Sequence, residues 1–174
     1  MIEQYFTALG GGIFPEETKN RSIRFFEELE AKRRYEKFTT FKSSIDEMIV
    51  INGIKVFSFC EHHLLPFFGY CSIGYIPNGD IFGLSKFQRL VDKVASKPTL
   101  QESITDEIAT EIYARLTPKG LGVAMSCVHT CMYGRGINTS TISVNSQVLK
   151  GIIKDTPEAR SEFLSRIKIE NFLR

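Results

Sequence analysis

"FSFCEHHLLPFFGY", residues 57–70, sets a cysteine, a glutamate and two adjacent histidines between two apolar runs. The flanking β-branched and aromatic residues read as strands, so the polar cluster falls on the connection between them. Thiol and imidazole groups held near a core are unfavourable unless something pairs with them. Upstream, "MIVINGIKVFSF" (48–59) is strand-like, and Asn52-Gly53 inside it reads equally as a tight hairpin turn or as a kink in one strand. Downstream, "FFGYCSIGYIP" is a second strand ending at Pro77, with Asn78-Gly79-Asp80 as a turn.

Further from the cluster the periodicity changes. Residues 1–15 carry "LGGGIFP", an irregular lead-in, and from Glu16 to about Lys37 the residues Ile23, Phe26 and Leu29 recur at helical spacing, predicting an amphipathic outer helix. "GLSKFQRLVDKVASK" (83–97) predicts a helix with Leu84, Phe87, Leu90, Val91 and Val94 on one face. "LQESITDEIATEIYARL" (100–116) predicts another through Ile104, Ile108, Ile112 and Leu116. "GVAMSCVHTCMYG" (122–134) returns to strand character, which in an extended chain puts Cys127, His129 and Cys131 on one face. "INTSTISVNSQVL" (137–149) is a further strand, followed by a helix with Thr156 as N-cap and Pro157 in its first turn. The expected order is helix, two strands, two helices, two strands, helix.

Composition bounds the function. The 174 residues, 43% hydrophobic and 24% charged, suit a chain with one substantial core. A net charge of +2 is too mild for a nucleic-acid groove binder, so any anion site is local. No apolar run approaches the roughly 18–20 residues that span a bilayer, and the N-terminus lacks a basic-then-apolar leader. A soluble, cytoplasmic protein with no membrane and no nucleic-acid partner is expected.

All three histidines, His62, His63 and His129, lie within three residues of a cysteine. Disulfides are unnecessary in a cytosolic chain of this size, so Cys60, Cys71, Cys127 and Cys131 point to thiol or metal chemistry. Cys60 and His63 (C-x-x-H) with His129 and Cys131 form a donor set that favours zinc. Four ligands including Cys127 would close the site for a structural role; three would leave a position for catalysis. Elsewhere, Ser85, Lys86 and Arg89 at a helix start suit phosphate or a solvated face, and Arg135 sits between two glycines. Glu102 suits a helix-start carboxylate.

At "CEHHLLPFFG", "GLSK", "LQE" and "HTCMYGRG", in this order and separation, the chain resembles GTP cyclohydrolase I, from about Glu17 to Ile167. The resemblance implies the α+β tunnelling fold: a β-β-α-α-β-β unit whose antiparallel sheet carries helices on one face, assembled into rings that stack as a decamer. It divides the chain into a lead-in and helix (1–45) and a catalytic domain (46–174). It implies Zn2+ bound by Cys60, His63 and Cys131, with Cys127 left out. The substrate is GTP, opened at C8 to formate and reclosed to dihydroneopterin triphosphate. It further implies His129 as proton donor to N7, His62 near the ribose, Ser85 in the sugar rearrangement, and Glu102 with Gln101 reading guanine. Lys86, Arg89, Arg135 and Arg21 are then the triphosphate cations, and some of these residues act across subunits. Lys19 and Ser103 depart from the family's usual proline and arginine. A zinc-stabilised protein of the same fold that binds a purine or pterin without turnover is the alternative.

Overall fold

Successive side chains of a strand point to opposite faces of the sheet, and this decides which of them meet the helices. The computed structural model describes residues 15–135 and 143–168, with Gln4, Thr7, Ala8 and Gly10. In chain order the elements are α1 (Glu16–Arg33), β1 (Thr40–Lys42), β2 (Ile49–Cys60), β3 (Pro66–Ile76), β4 (Asp80–Phe82), α2 (Ser85–Ala95) and β5 (Pro98–Thr99). There follow α3 (Gln101–Leu116), β6 (Gly120–His129), α4 (Thr130–Tyr133), β7 (Val144–Gly151), α5 (Ile152–Asp155) and α6 (Pro157–Arg166). The expected order of long elements is the observed one. Most of the lead-in, and residues 136–142 before β7, lie outside the described residues.

The main sheet has the order β5-β2-β3-β6-β7, antiparallel except for the short parallel pairing of β2 with β5. One face presents Cys71, Ile73 and Tyr75 of β3 and Leu121, Val123 and Met125 of β6 to the buried stripes of α2 and α3. Ile104, Ile108 and Ile112 of α3 are fully buried there, each contributing about 1.5–3 kcal/mol. Leu84 is the exception among the residues expected on the α2 stripe. It is the N-cap, outside the helical repeat, and is 74% exposed.

Helices were expected on one face, which holds for α2 and α3. α6 lies on the opposite face, because Gly74 and Gly122 leave room for the ring of Phe163, which is fully buried with Met48, Ala124 and Ile153. Asn52-Gly53 is a kink within β2: the register slips between Ile51 and Ile54, and Gly53 takes φ 73°. The Asn52 amide donates to the Arg166 carbonyl (3.1 Å) and its oxygen accepts from the Lys168 N–H (3.1 Å), so the bulge ties β2 to the end of α6. α1 ends at Arg33, earlier than expected, and buries none of its residues; Phe25 and Phe26 rest against Phe57 and Phe59 at 5.7 and 6.0 Å. Among the described residues no helix is long and apolar enough to cross a membrane.

Gly69 of β3 lies tight against β6. A Cβ there would lie 2.0 Å from the Ser126 carbonyl oxygen and 2.7 Å from Cys127 Cα, both backbone atoms of the paired strand. Gly69→Ala is therefore expected to cost about 1–3 kcal/mol, read as a fall of several degrees in Tm. An unchanged Tm would contradict this account of the β3–β6 seam.

Candidate active site

β2 does not run on past Cys60. The chain reverses within five residues through Cys60 N–H to Leu65 O (2.9 Å) and Leu64 N–H to Cys60 O (2.8 Å), with Leu64 at φ 53°. A non-glycine residue in the left-handed region is strained by about 1–2 kcal/mol. The Glu61 N–H donates to Thr99 O (3.3 Å), fastening the turn to β5. This brings the Cys60 sulfur to 3.6 Å from His63 Nδ1.

Cys131 reaches the same point by a different route from the one its spacing suggests. β6 stops at His129, and Cys131 sits in the one-turn helix α4, started by the Thr130 hydroxyl donating to Pro66 O at 2.6 Å. The three ligand atoms of Cys60, His63 and Cys131 lie within 4.8 Å of one another, the one such His/Cys/acid group among the described residues. Cys127 remains in the strand, fully buried in the core, where burial pushes its thiol up to about 12. Burial and the neighbouring Cys60 also raise the Cys131 thiol. A cation would reverse that preference and turn the pair into thiolates. Two sulfurs and one imidazole nitrogen at this spacing fit zinc.

His129 lies beside this group, stacked on Phe67 at 4.5 Å and 9°. Its Nε2 is 2.9 Å from Gln101 Oε1, and the Gln101 amide nitrogen donates to Val144 O (3.0 Å), Ser146 Oγ (3.0 Å) and Met125 O (3.4 Å). Carbonyl oxygens only accept, so the amide orientation is determined, Oε1 must accept, and His129 Nε2 carries a proton. Nδ1 is the nitrogen left to other chemistry. Ser146 and Thr105 complete the network at 2.7 Å. Gln101 is only 1% exposed, so its side chain faces the protein and the sequence offered no signal for this partnership. Burial lowers the His129 pKa, opposed by the charge of Glu102.

Glu102 is exposed at the start of α3, on a shallow cleft of about 570 Å³ whose wall continues through Asp106, Glu107 and Glu111. Glu107 and Glu111 in that wall are paired with Lys97 and Arg115. His62 is exposed, its ring 6.2 Å from that of His63. Arg135 is exposed after α4, near enough for its charge to favour the Cys131 thiolate. Ser85, Lys86 and Arg89 occupy the first turns of α2, and Arg21 is exposed on α1, paired with Glu17. Sequence reasoning missed Tyr35, whose ring lies 4.9 Å from the Arg89 guanidinium and whose hydroxyl meets Lys86.

The fold and the Cys-His-Cys group define an α+β protein of the tunnelling type with a candidate transition-metal site. The crystal structure of the archaeosine synthase QueF-Like in the apo form shares this fold at a TM-score of 0.51 and 17% identity, covering 63% of this chain and 97% of that one. The GTP cyclohydrolase I profile matches residues 14–168. GTP cyclohydrolase 1 of Hahella chejuensis is 42% identical over 127 residues, 73% of this chain and 68% of the relative. That of a Sulfurihydrogenibium species is 42% identical over 154 residues, 87% and 81% respectively. The chain belongs to the GTP cyclohydrolase I family.

In the metal-free folded protein, iodoacetamide is expected to modify Cys131, which is partly exposed, while Cys71 and Cys127, both at 0% exposure, react only on unfolding. Peptide mass spectrometry reads the difference. Equal labelling of Cys127 in the folded state would contradict its place in the core.

Proposed function

We propose that the protein opens the imidazole ring of GTP by hydrolysis, releases C8 as formate and closes the rearranged product to 7,8-dihydroneopterin triphosphate. The convergence of Cys60, His63 and Cys131 beside His129 carries this reading. Zinc, held by those three residues, would supply Lewis acidity that makes water nucleophilic near neutral pH.

The remaining chemistry belongs to the chain's own groups. His129, with its Nε2–H committed to Gln101, presents Nδ1 to the purine; in the imidazolium form it gives the Nδ1 proton to N7, which makes C8 electrophilic and leaves the neutral Nε2–H tautomer. Gln101, expected at the base, acts through His129 instead. Glu102 accepts from N1–H and the 2-amino group of guanine; adenine offers neither and would leave the carboxylate unpaired. His62 stands at the ribose side, and Ser85 serves the later rearrangement of the sugar. Lys86, Arg89, Arg135 and Arg21 meet the triphosphate, giving a nearly neutral protein a local cationic site.

These groups do not converge within one chain. α2 ends where β5 pairs with Phe59 and Cys60, so its first residues stand a helix length away. Its 11 residues span about 16 Å. We place the site between subunits, the α2 start of one copy facing the Cys-His-Cys group of another, in stacked rings that make a decamer.

The test is to follow formate release and the fluorescence of the oxidised pterin together, with zinc-loaded protein and GTP. Both signals, lost on chelation and restored by zinc, are expected; formate alone would mean ring opening without reclosure, and neither would overturn the reading. Cys131→Ala is expected to abolish zinc retention and turnover while Cys127→Ala retains both, and equal zinc loss in the two would sink the three-ligand assignment. Glu102→Ala is expected to lower kcat/KM for GTP by about 100-fold, the range for losing two charge-assisted hydrogen bonds. Its Tm should stay unchanged, since Glu102 is exposed. Undiminished kcat/KM would remove the guanine-reading role.

A further inference from the structure

We infer that Tyr35 is a positioning residue for a polyphosphate, holding Lys86 and Arg89 in place at the start of α2 before the ligand arrives. The inference rests on the GTP reading above and extends its phosphate site to a residue that no motif singled out.

Tyr35 lies two residues beyond α1, in a connection strapped down by Phe38. Phe38 packs edge-on to Tyr35 (5.2 Å), tilts against Phe82 (6.1 Å) and is covered by the Arg115 guanidinium at 4.4 Å. An ion pair between Glu36 and Lys93 fastens the same segment to α2. The strap fixes the phenol between two cations. Lys86 Nζ donates to the Tyr35 hydroxyl at 2.9 Å, and that hydroxyl donates onward to Lys37 O. The Arg89 guanidinium lies over the ring at 4.9 Å.

Lys86 and Arg89 are three residues apart on one helix face, where like charges repel. The ring lowers that cost by offering its negative face to Arg89 and its oxygen to Lys86. The cations in turn lower the Tyr35 pKa, the Lys86 hydrogen bond most of all. Among the described residues neither Lys86 nor Arg89 forms an ion pair with a carboxylate, although Lys32, Lys93, Lys97 and Arg115 all do. The α2 start has no side-chain cap, and its Lys86 and Phe87 N–H groups donate to the Gly83 and Leu84 carbonyl oxygens, so the two cations carry the attraction for an anion. A neutral phenol thus orders two unneutralised cations at a helix N-terminus. Ordering them in advance spares a ligand the entropy of fixing two long side chains.

The experiment measures steady-state kinetics with GTP, and competitive inhibition by inorganic tripolyphosphate, for zinc-loaded wild type, Tyr35→Phe, Tyr35→Leu and Lys86→Ala. Tyr35→Phe keeps the ring and its packing but loses the hydroxyl. It is expected to raise KM for GTP and Ki for tripolyphosphate together by about fivefold, the scale of one lost hydrogen bond, with kcat moving less than KM. Tyr35→Leu removes both contacts and should raise both constants further. KM and Ki that stay at wild-type values in Tyr35→Phe and Tyr35→Leu, while Lys86→Ala raises them, would overturn the role of Tyr35 and leave the phosphate site standing. Wild-type KM in Lys86→Ala would overturn the phosphate site and this inference with it. A fall in KM for Tyr35→Phe would also overturn it, since the phenol would then compete with phosphate.

Discussion

The five-residue reversal between Cys60 and Pro66 is the constraint on which the rest depends. Its two hydrogen bonds and the left-handed Leu64 fix Phe59 opposite Pro66, and this sets the register of the β2–β3 ladder back to the bulge at Ile54. A slip of one residue would send every core side chain of β2 to the wrong face. The same turn aims Cys60 and His63 at one point, and Pro66, the first residue after it, accepts the hydroxyl that starts α4 and delivers Cys131. Fold and donor set therefore share one local geometry, and strain at Leu64 is tolerated because both hold it.

From that end of the sheet the chemistry divides. The Cys-His-Cys group, His129 and the buried Gln101 network stand at the Cys60 end, with Gln101 held by side-chain bonds to β6 and β7. The unneutralised cations stand at the start of α2, one helix length away, ordered by a connection that follows α1. Glu102 and Asp106 on the outer face of α3 carry negative charge, so on the proposed reading the base and the polyphosphate meet different walls. The proposed ring of copies would bring the two walls together, and α1, with exposed Phe26 and no buried residue, suits a chain that finishes its burial against neighbours.

The parts legible in the sequence are those governed by local pattern. Periodicity found α2 and α3 because Ile104, Ile108 and Ile112 are one helical turn apart and all face the sheet. Clustering of histidine with cysteine found the donor set. Contacts distant in sequence decided the rest. Asn52-Gly53 has the composition of a hairpin turn, yet Arg166 and Lys168 bind Asn52 and make it a bulge. Alternation put Cys127, His129 and Cys131 on one strand face, but Thr130 ends the strand by bonding to Pro66, more than sixty residues earlier. Gln101 was expected to read guanine beside Glu102, but its amide is turned to acceptors on β7. Tyr35 lay in a connection without any motif.

The central claim is a three-ligand centre with one position left for chemistry. Zinc K-edge X-ray absorption on the zinc-loaded protein tests it most directly. The expected spectrum contains two sulfurs at about 2.3 Å and one imidazole nitrogen at about 2.0–2.1 Å, with one further light donor. A third sulfur would mean that Cys127 leaves the core to close the site, and would contradict the account.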